Sequence, residues 1–120
     1  MWVAELAANL REAVAGTGKV LYRHNVAHDG SVSRLLAILQ VDVMVWPGMG
    51  AEVVFELYTK KSAAANKGFV RVLFGGQVLR SSNPSLGRLD FIDVDVLLAY
   101  FDGLVGIGAS QVPGLCSASY

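Results

Sequence analysis

Apolar residues recur at helical spacing at the start of the chain. Val3, Leu6, Ala7, Leu10, Ala13 and Val14 fall on one side, with Glu5, Asn9 and Glu12 on the other. This pattern predicts an amphipathic helix, stopped at Gly16 and Gly18 because glycine tolerates the left-handed conformation of a helix end. Lys19 to His24, with Val20, Leu21 and Tyr22, reads as a short strand. After His28-Asp29-Gly30-Ser31 the helical period resumes at Val32, Leu35, Leu36 and Leu39, with Asp29 or Ser31 as the candidate cap. Trp46-Pro47-Gly48 breaks the chain.

Beyond that break the period shortens. Val53, Val54, Phe55, Leu57 and Tyr58 form a β-branched and aromatic run of strand length, and Ser62 to Lys67 is small and polar, a loop. Phe69 to Phe74 is a second strand, which Gly75-Gly76 turns as a two-residue hairpin into Gln77, Val78 and Leu79. Arg80 to Leu89 has no period. Asp93 is placed to cap a helix carrying Val94, Leu97, Leu98, Phe101, Leu104 and Val105 on one face. The expectation is an α/β domain over residues 1–105, of about three helices and three to four strands, followed by an irregular tail over residues 106–120.

Composition narrows the function classes. Ten basic residues balance ten acidic ones, which removes the clustered positive charge a nucleic-acid binder uses against phosphates. No apolar stretch approaches the ~18–20 residues that span a bilayer, so no membrane partner is expected. The first residues lack the basic-then-apolar order of a signal peptide. At 53 % hydrophobic and 17 % charged, the chain is poorer in charge than the ~25 % usual for a soluble domain. Some apolar surface therefore has no place inside the chain, which points to self-association or to a share in a larger core. No pattern calls for a metal or a cofactor, and Cys116 is the single cysteine.

The two histidines both lie in Tyr22-Arg23-His24-Asn25-Val26-Ala27-His28-Asp29-Gly30. His28 and Asp29 stand where a strand should end and a helix begin, a junction whose free N–H groups and dipole favour a bound phosphate. A protonated His28 attracts such an anion, and Asp29 can hand a proton to a leaving oxygen. Local chemistry by itself favours a plainer reading, in which Asp29 caps the helix and His28 bonds a loop. A metal pair of His24 and His28 is a weaker alternative, since the shared helical face it needs is not assured and only Asp29 offers a third ligand. Glu52 and Glu56 share a strand face as solvated charges, Arg34 faces solvent, and Arg71 is a candidate cross-strand partner. Asp90, Asp93, Asp95 and Asp102 read as caps and solvated charges around the last helix.

The wider order of motifs is more specific. Ala27-His28-Asp29-Gly30-Ser31-Val32, an apolar helix, Trp46-Pro47, Glu52-Val53-Val54-Phe55-Glu56-Leu57-Tyr58 and Phe69-Val70-Arg71-Val72-Leu73-Phe74-Gly75-Gly76-Gln77 follow one another along the chain. From about Leu6 to Leu104 this series resembles the C-terminal part of the histidine acid phosphatases, in the phosphoglycerate-mutase-like histidine phosphatase superfamily, and is nearest in character to fungal acid-phosphatase-like proteins. The resemblance implies a partial histidine-phosphatase α/β sandwich with the site at its sheet edge, a phosphomonoester substrate, and secretion or the cell wall as compartment. It also implies that His28 contacts the phosphate and that Asp29 protonates the leaving alcohol. The family's nucleophile, a histidine in Arg-His-Gly, has no counterpart. Arg23-His24-Asn25 carries Asn in place of Gly and directly precedes the His-Asp motif, so a packing or hydrogen-bonding role suits His24 better. Cys116 is then either the orphaned half of a disulfide or a free thiol.

Overall fold

Two long strands carry the architecture. In the computed structural model, which describes residues 2–61 and 67–117, β1 (Val53–Lys60) and β2 (Lys67–Phe74) pair antiparallel from Val53 opposite Phe74 to Lys60 opposite Lys67. Both are rich in β-branched and aromatic residues, which suits a pleated, half-buried surface. Gly75 and Gly76 both take positive φ, 57° and 77°, as the expected two-residue turn requires. They return the chain into β3 (Gln77–Val78) against the end of β2. The other end of β2 pairs with β4 (Ile92–Asp93), completing a four-stranded antiparallel sheet. β4 has only two residues, too few to show a period in the sequence.

Alternation along β2 separates two faces. Val70 and Val72 are fully buried and meet the helices, whereas Arg71 and its opposite number Glu56 point the other way. α1 (Trp2–Ala15) buries Val3, Ala7 and Leu10, and α3 (Val94–Val105) buries Val94, Leu97, Leu98 and Phe101. Leu35 and Leu39 from α2 (Asp29–Ile38) and its C-terminal end, with Leu86 and Leu89, close the same core. Gly68 lies where α1 and α3 come nearest β2. A Cβ there would stand 3.0 Å from Val94 Cγ1 and 3.1 Å from Val14 Cγ2. Arg11 of α1 and Asp102 of α3 form an ion pair between the two helices.

The mixed α/β class is as the sequence indicates, with the sheet antiparallel throughout and its second face without a helix among the described residues. Two expectations are corrected. Lys19 to His24 is not a strand, because it has no neighbour to pair with: Val20, Leu21 and Tyr22 are 57 %, 102 % and 78 % exposed. β-propensity without a partner leaves the backbone bonded to water. The tail from Gly106 is not irregular as far as Ser117, since it forms a 3-10 turn at Ile107–Ala109 and a short helix, α4 (Val112–Cys116). Of the loop expected over Ser62 to Lys67, all but Lys67 lies outside the described residues.

Asp93 caps α3 as its sequence position predicts, accepting the Asp95 N–H at 2.9 Å through Oδ1. Its Oδ2 meets Lys67 Nζ at 2.7 Å, tying the helix start to β2. The Lys67 ammonium, and after it the Asp95 N–H, hold the Asp93 carboxyl below its ordinary value of 3.8. A carboxyl lowered by folding stabilises the fold above its unfolded value and loses that contribution as pH falls through the folded one. Asp93→Ala is expected to cost about 1 kcal/mol at neutral pH, mostly from the cap, since an ion pair to an exposed lysine adds little. Urea titrations of both chains should converge as pH is taken below the ordinary carboxylate value, and a difference that stayed constant with pH would contradict this.

Candidate functional site

The two residues singled out for chemistry sit together at the start of α2. His28 is the N-cap, with an extended backbone (φ −96°, ψ 163°), and its side chain makes no capping bond. Its carbonyl accepts the Ser31 and Val32 N–H groups at 3.0 and 3.1 Å, which closes the first turn. Asp29 is the first helical residue rather than the cap, and a carboxylate there complements the helix dipole. Asp29 Oδ1 accepts the Gly30 N–H at 2.7 Å, and Oδ2 accepts the Trp46 indole N–H at 3.1 Å. Both carboxylate oxygens are thus held, one by the helix and one by the loop that feeds β1.

That loop forms the far wall of an open groove of about 480 Å³, lined by Pro47, Gly48, Met49, Gly50 and Ala51 opposite Ala27, His28, Asp29 and Val32. Gly50 turns the loop back with φ 72°, and the Ala51 N–H bonds the Gly48 carbonyl at 3.2 Å. His28 and Asp29 are both exposed, so ligand has access to them without a conformational change. The groove lies beside the chain entering β1. In an antiparallel sheet the rule that places ligands at the carboxyl ends of parallel strands has no hold. No Arg or Lys lines the groove.

His24 does not join this site. It is exposed, and its Nδ1 lies 3.2 Å from the Tyr22 hydroxyl, with the rings edge to face at 6.2 Å. It belongs to no helix, so the helical face a His24–His28 metal pair would use does not exist. Among the described residues no group of three or more metal-ligating side chains converges.

The sequence underestimates one other polar cluster, on the open face of the sheet. Arg71 is indeed the cross-strand partner of Glu56, at 3.6 Å, but its Nε also bonds Asp90 at 2.8 Å. Its guanidinium lies 4.4 Å from the Phe91 ring centre and 5.4 Å from that of Tyr58. Tyr58 donates its hydroxyl to Glu56 at 2.7 Å, and that bond to a carboxylate raises the phenol above its ordinary value. Phe91 takes a left-handed backbone, φ 53°, unusual for an aromatic residue and sustained here by its packing on Arg71 and Tyr58. With its charge balanced by two carboxylates, Arg71 is a fastening between β2 and the chain before β4. Glu52 lies outside β1 and exposed, so it and Glu56 do not act as a pair. Asp90, Asp93 and Asp102 have ion partners in Arg71, Lys67 and Arg11, beyond the capping and solvation expected of them. Cys116 is an exposed free thiol at the end of α4.

Comparison of the chain with protein-family models, with curated proteins and with solved structures finds no match in any of the three.

Proposed function

We propose that this chain carries the second-histidine and proton-donor half of a histidine acid phosphatase-type site. The observation that supports the reading is the Trp46 indole bond to Asp29. It brings together two separated motifs of the resemblance, Trp46-Pro47 and His28-Asp29, at one groove. In this reading the imidazolium of His28 contacts the phosphate of a phosphomonoester, and Asp29, held at both oxygens, delivers a proton to the departing alkoxide. Asp29 must carry that proton beforehand, and when ionised it repels an anion arriving at the same helix end. The nucleophilic step has no residue in the groove, because Arg-His-Gly is absent and His24, bonded to Tyr22, is not part of the groove lining.

The absence of any arginine or lysine from the groove lining favours a second reading, in which the chain binds phosphate without hydrolysing it. Titration of the purified chain with inorganic phosphate, followed by NMR at the His28 ring and the Trp46 indole N–H, tests the shared element of both. The expected result is a saturable shift of both signals while the Trp2 indole stays still. His28→Ala should weaken the response at least tenfold. Asp29→Asn should strengthen it, because the substitution removes the like charge and keeps the size. Signals unmoved by phosphate, or an Asp29→Asn chain that binds more weakly, would reject the assignment. Hydrolysis of an aryl phosphate, abolished by either His24→Ala or His28→Ala, would instead make His24 the nucleophile and end the half-site reading.

A further inference from the structure

The groove is marked by what its walls lack. His28 and Asp29 are the ionisable side chains of its lining, and neither arginine nor lysine joins them. From Pro47 to Ala51 the far wall carries no side chain with a hydrogen-bond donor, and Ala27 and Val32 add only carbon opposite. The apolar character continues up the chain. From Val43 to Met49 there is no charged residue, and Val43, Met44, Val45, Trp46 and Met49 are all exposed. Pro47 among them is buried, which seats the run on the domain, and the Trp46 indole N–H ties it to Asp29. Met49 both lines the groove and is 104 % exposed. Clustered apolar surface of this kind, beside a cleft with a few polar groups, is where ligands find their carbon partners.

We propose that the groove selects a phosphomonoester that carries a single phosphate on an apolar alcohol, with Met49 and Trp46 covering the alcohol's carbon. The inference rests on the phosphate reading above and narrows it. His28 offers at most one positive charge, which one phosphate consumes. A second phosphate brings about 1.5–2 further negative charges at neutral pH and finds no cation on the lining, only the like charge of Asp29 when that is ionised. A sugar or polyol fares little better, because its hydroxyls leave water for walls whose side chains return no hydrogen bond. An apolar alcohol gives up no such bond, and each methylene that leaves water strengthens binding by about fourfold. The unbranched thioether of Met49 adapts to the shape of a ring or of a chain.

Titration of the full chain provides the test, at a pH where the His28 ring carries its proton, followed by NMR at that ring and at the Trp46 indole N–H. The ligands are inorganic phosphate, phenyl phosphate, hexyl phosphate, glycerol phosphate and fructose bisphosphate. Phenyl or hexyl phosphate is expected to bind at least tenfold more tightly than inorganic phosphate, and the tighter of the two identifies the alcohol as planar or chain-like. Glycerol phosphate should gain nothing over inorganic phosphate, and fructose bisphosphate should bind more weakly. Met49 is outside the core, so substitutions there leave the fold intact. Met49→Ser should cut the preference for the apolar ester several-fold, and Met49→Lys should reverse the order of hexyl phosphate and fructose bisphosphate. Inorganic phosphate that binds while both apolar esters gain nothing over it would overturn this inference and leave the phosphate reading in place. So would fructose bisphosphate binding tightest, or a preference indifferent to both Met49 substitutions. Signals unmoved by phosphate and by every ester would overturn both.

Discussion

Phe101→Ala is expected to lower the free energy of unfolding by about 3–5 kcal/mol. Phe101 is the largest fully buried side chain, and it stands in α3 among residues drawn from α1, α2, β2 and the segment before β4. Its ring fills space on the helical side of the sheet, where α1, α2 and α3 close one core, and the surroundings relax only partly around the space it leaves. A domain of this length is stable by only about 5–15 kcal/mol in total, which makes the loss a large fraction of the whole. Urea unfolding followed by circular dichroism should show the midpoint falling with little change of slope. A loss under 1 kcal/mol would mean that the helices close over the gap, contrary to the tight core described.

Leu39→Ala is expected to cost about 2–5 kcal/mol and, unlike Phe101→Ala, to disturb the groove. Leu39 is fully buried at the C-cap of α2. The helix end around it is closed by two bonds, Gln40 N–H to the Ala37 carbonyl and Val41 N–H to that of Leu36, with Gln40 in the left-handed position at φ 50°. Ser81 then donates its hydroxyl to the Leu39 carbonyl at 2.7 Å, and the Tyr100 hydroxyl bonds the Ile38 carbonyl. These contacts and the burial of Leu35 and Leu36 are what hold α2 in place. Its other end, with His28 and Asp29, meets the chain chiefly through Trp46. Removing the Leu39 side chain loosens the anchored end, and the Trp46 indole resonance should lose its distinct position before global unfolding begins. A resonance that kept its position until the global transition would show that the groove does not depend on this anchor.

The parts of this fold legible in the sequence are those written in local pattern. The spacing of Val3, Leu6, Ala7, Leu10 and Val14 marks α1, Asp93 marks the start of α3, and Gly75-Gly76 marks the hairpin, because period, cap and turn chemistry are each set within a few residues. The candidate site was half legible. His28 and Asp29 stand out as the sole His-Asp pair at a predicted helix start, whereas the tie from Asp29 to Trp46 spans 17 residues and no period signals it. Arg71 was recognisable as a cross-strand charge partner, but that its partner is Glu56 follows from the β1–β2 register, and its bond to Asp90 depends on β4, whose pairing is non-local and two residues long.

The sequence by itself determined α1, α2, α3 and the hairpin, the excess of apolar residues, and the placing of His28 and Asp29 at one helix start. Tertiary structure decided which strands pair, and so left Val20, Leu21 and Tyr22 exposed despite their strand-forming character. It also decided that His24 stands apart from His28 and that the groove is walled by residues 47–51. The reason is physical: helix and turn bonds close within a few residues of chain, whereas a strand or a groove exists only through what a distant segment brings to it.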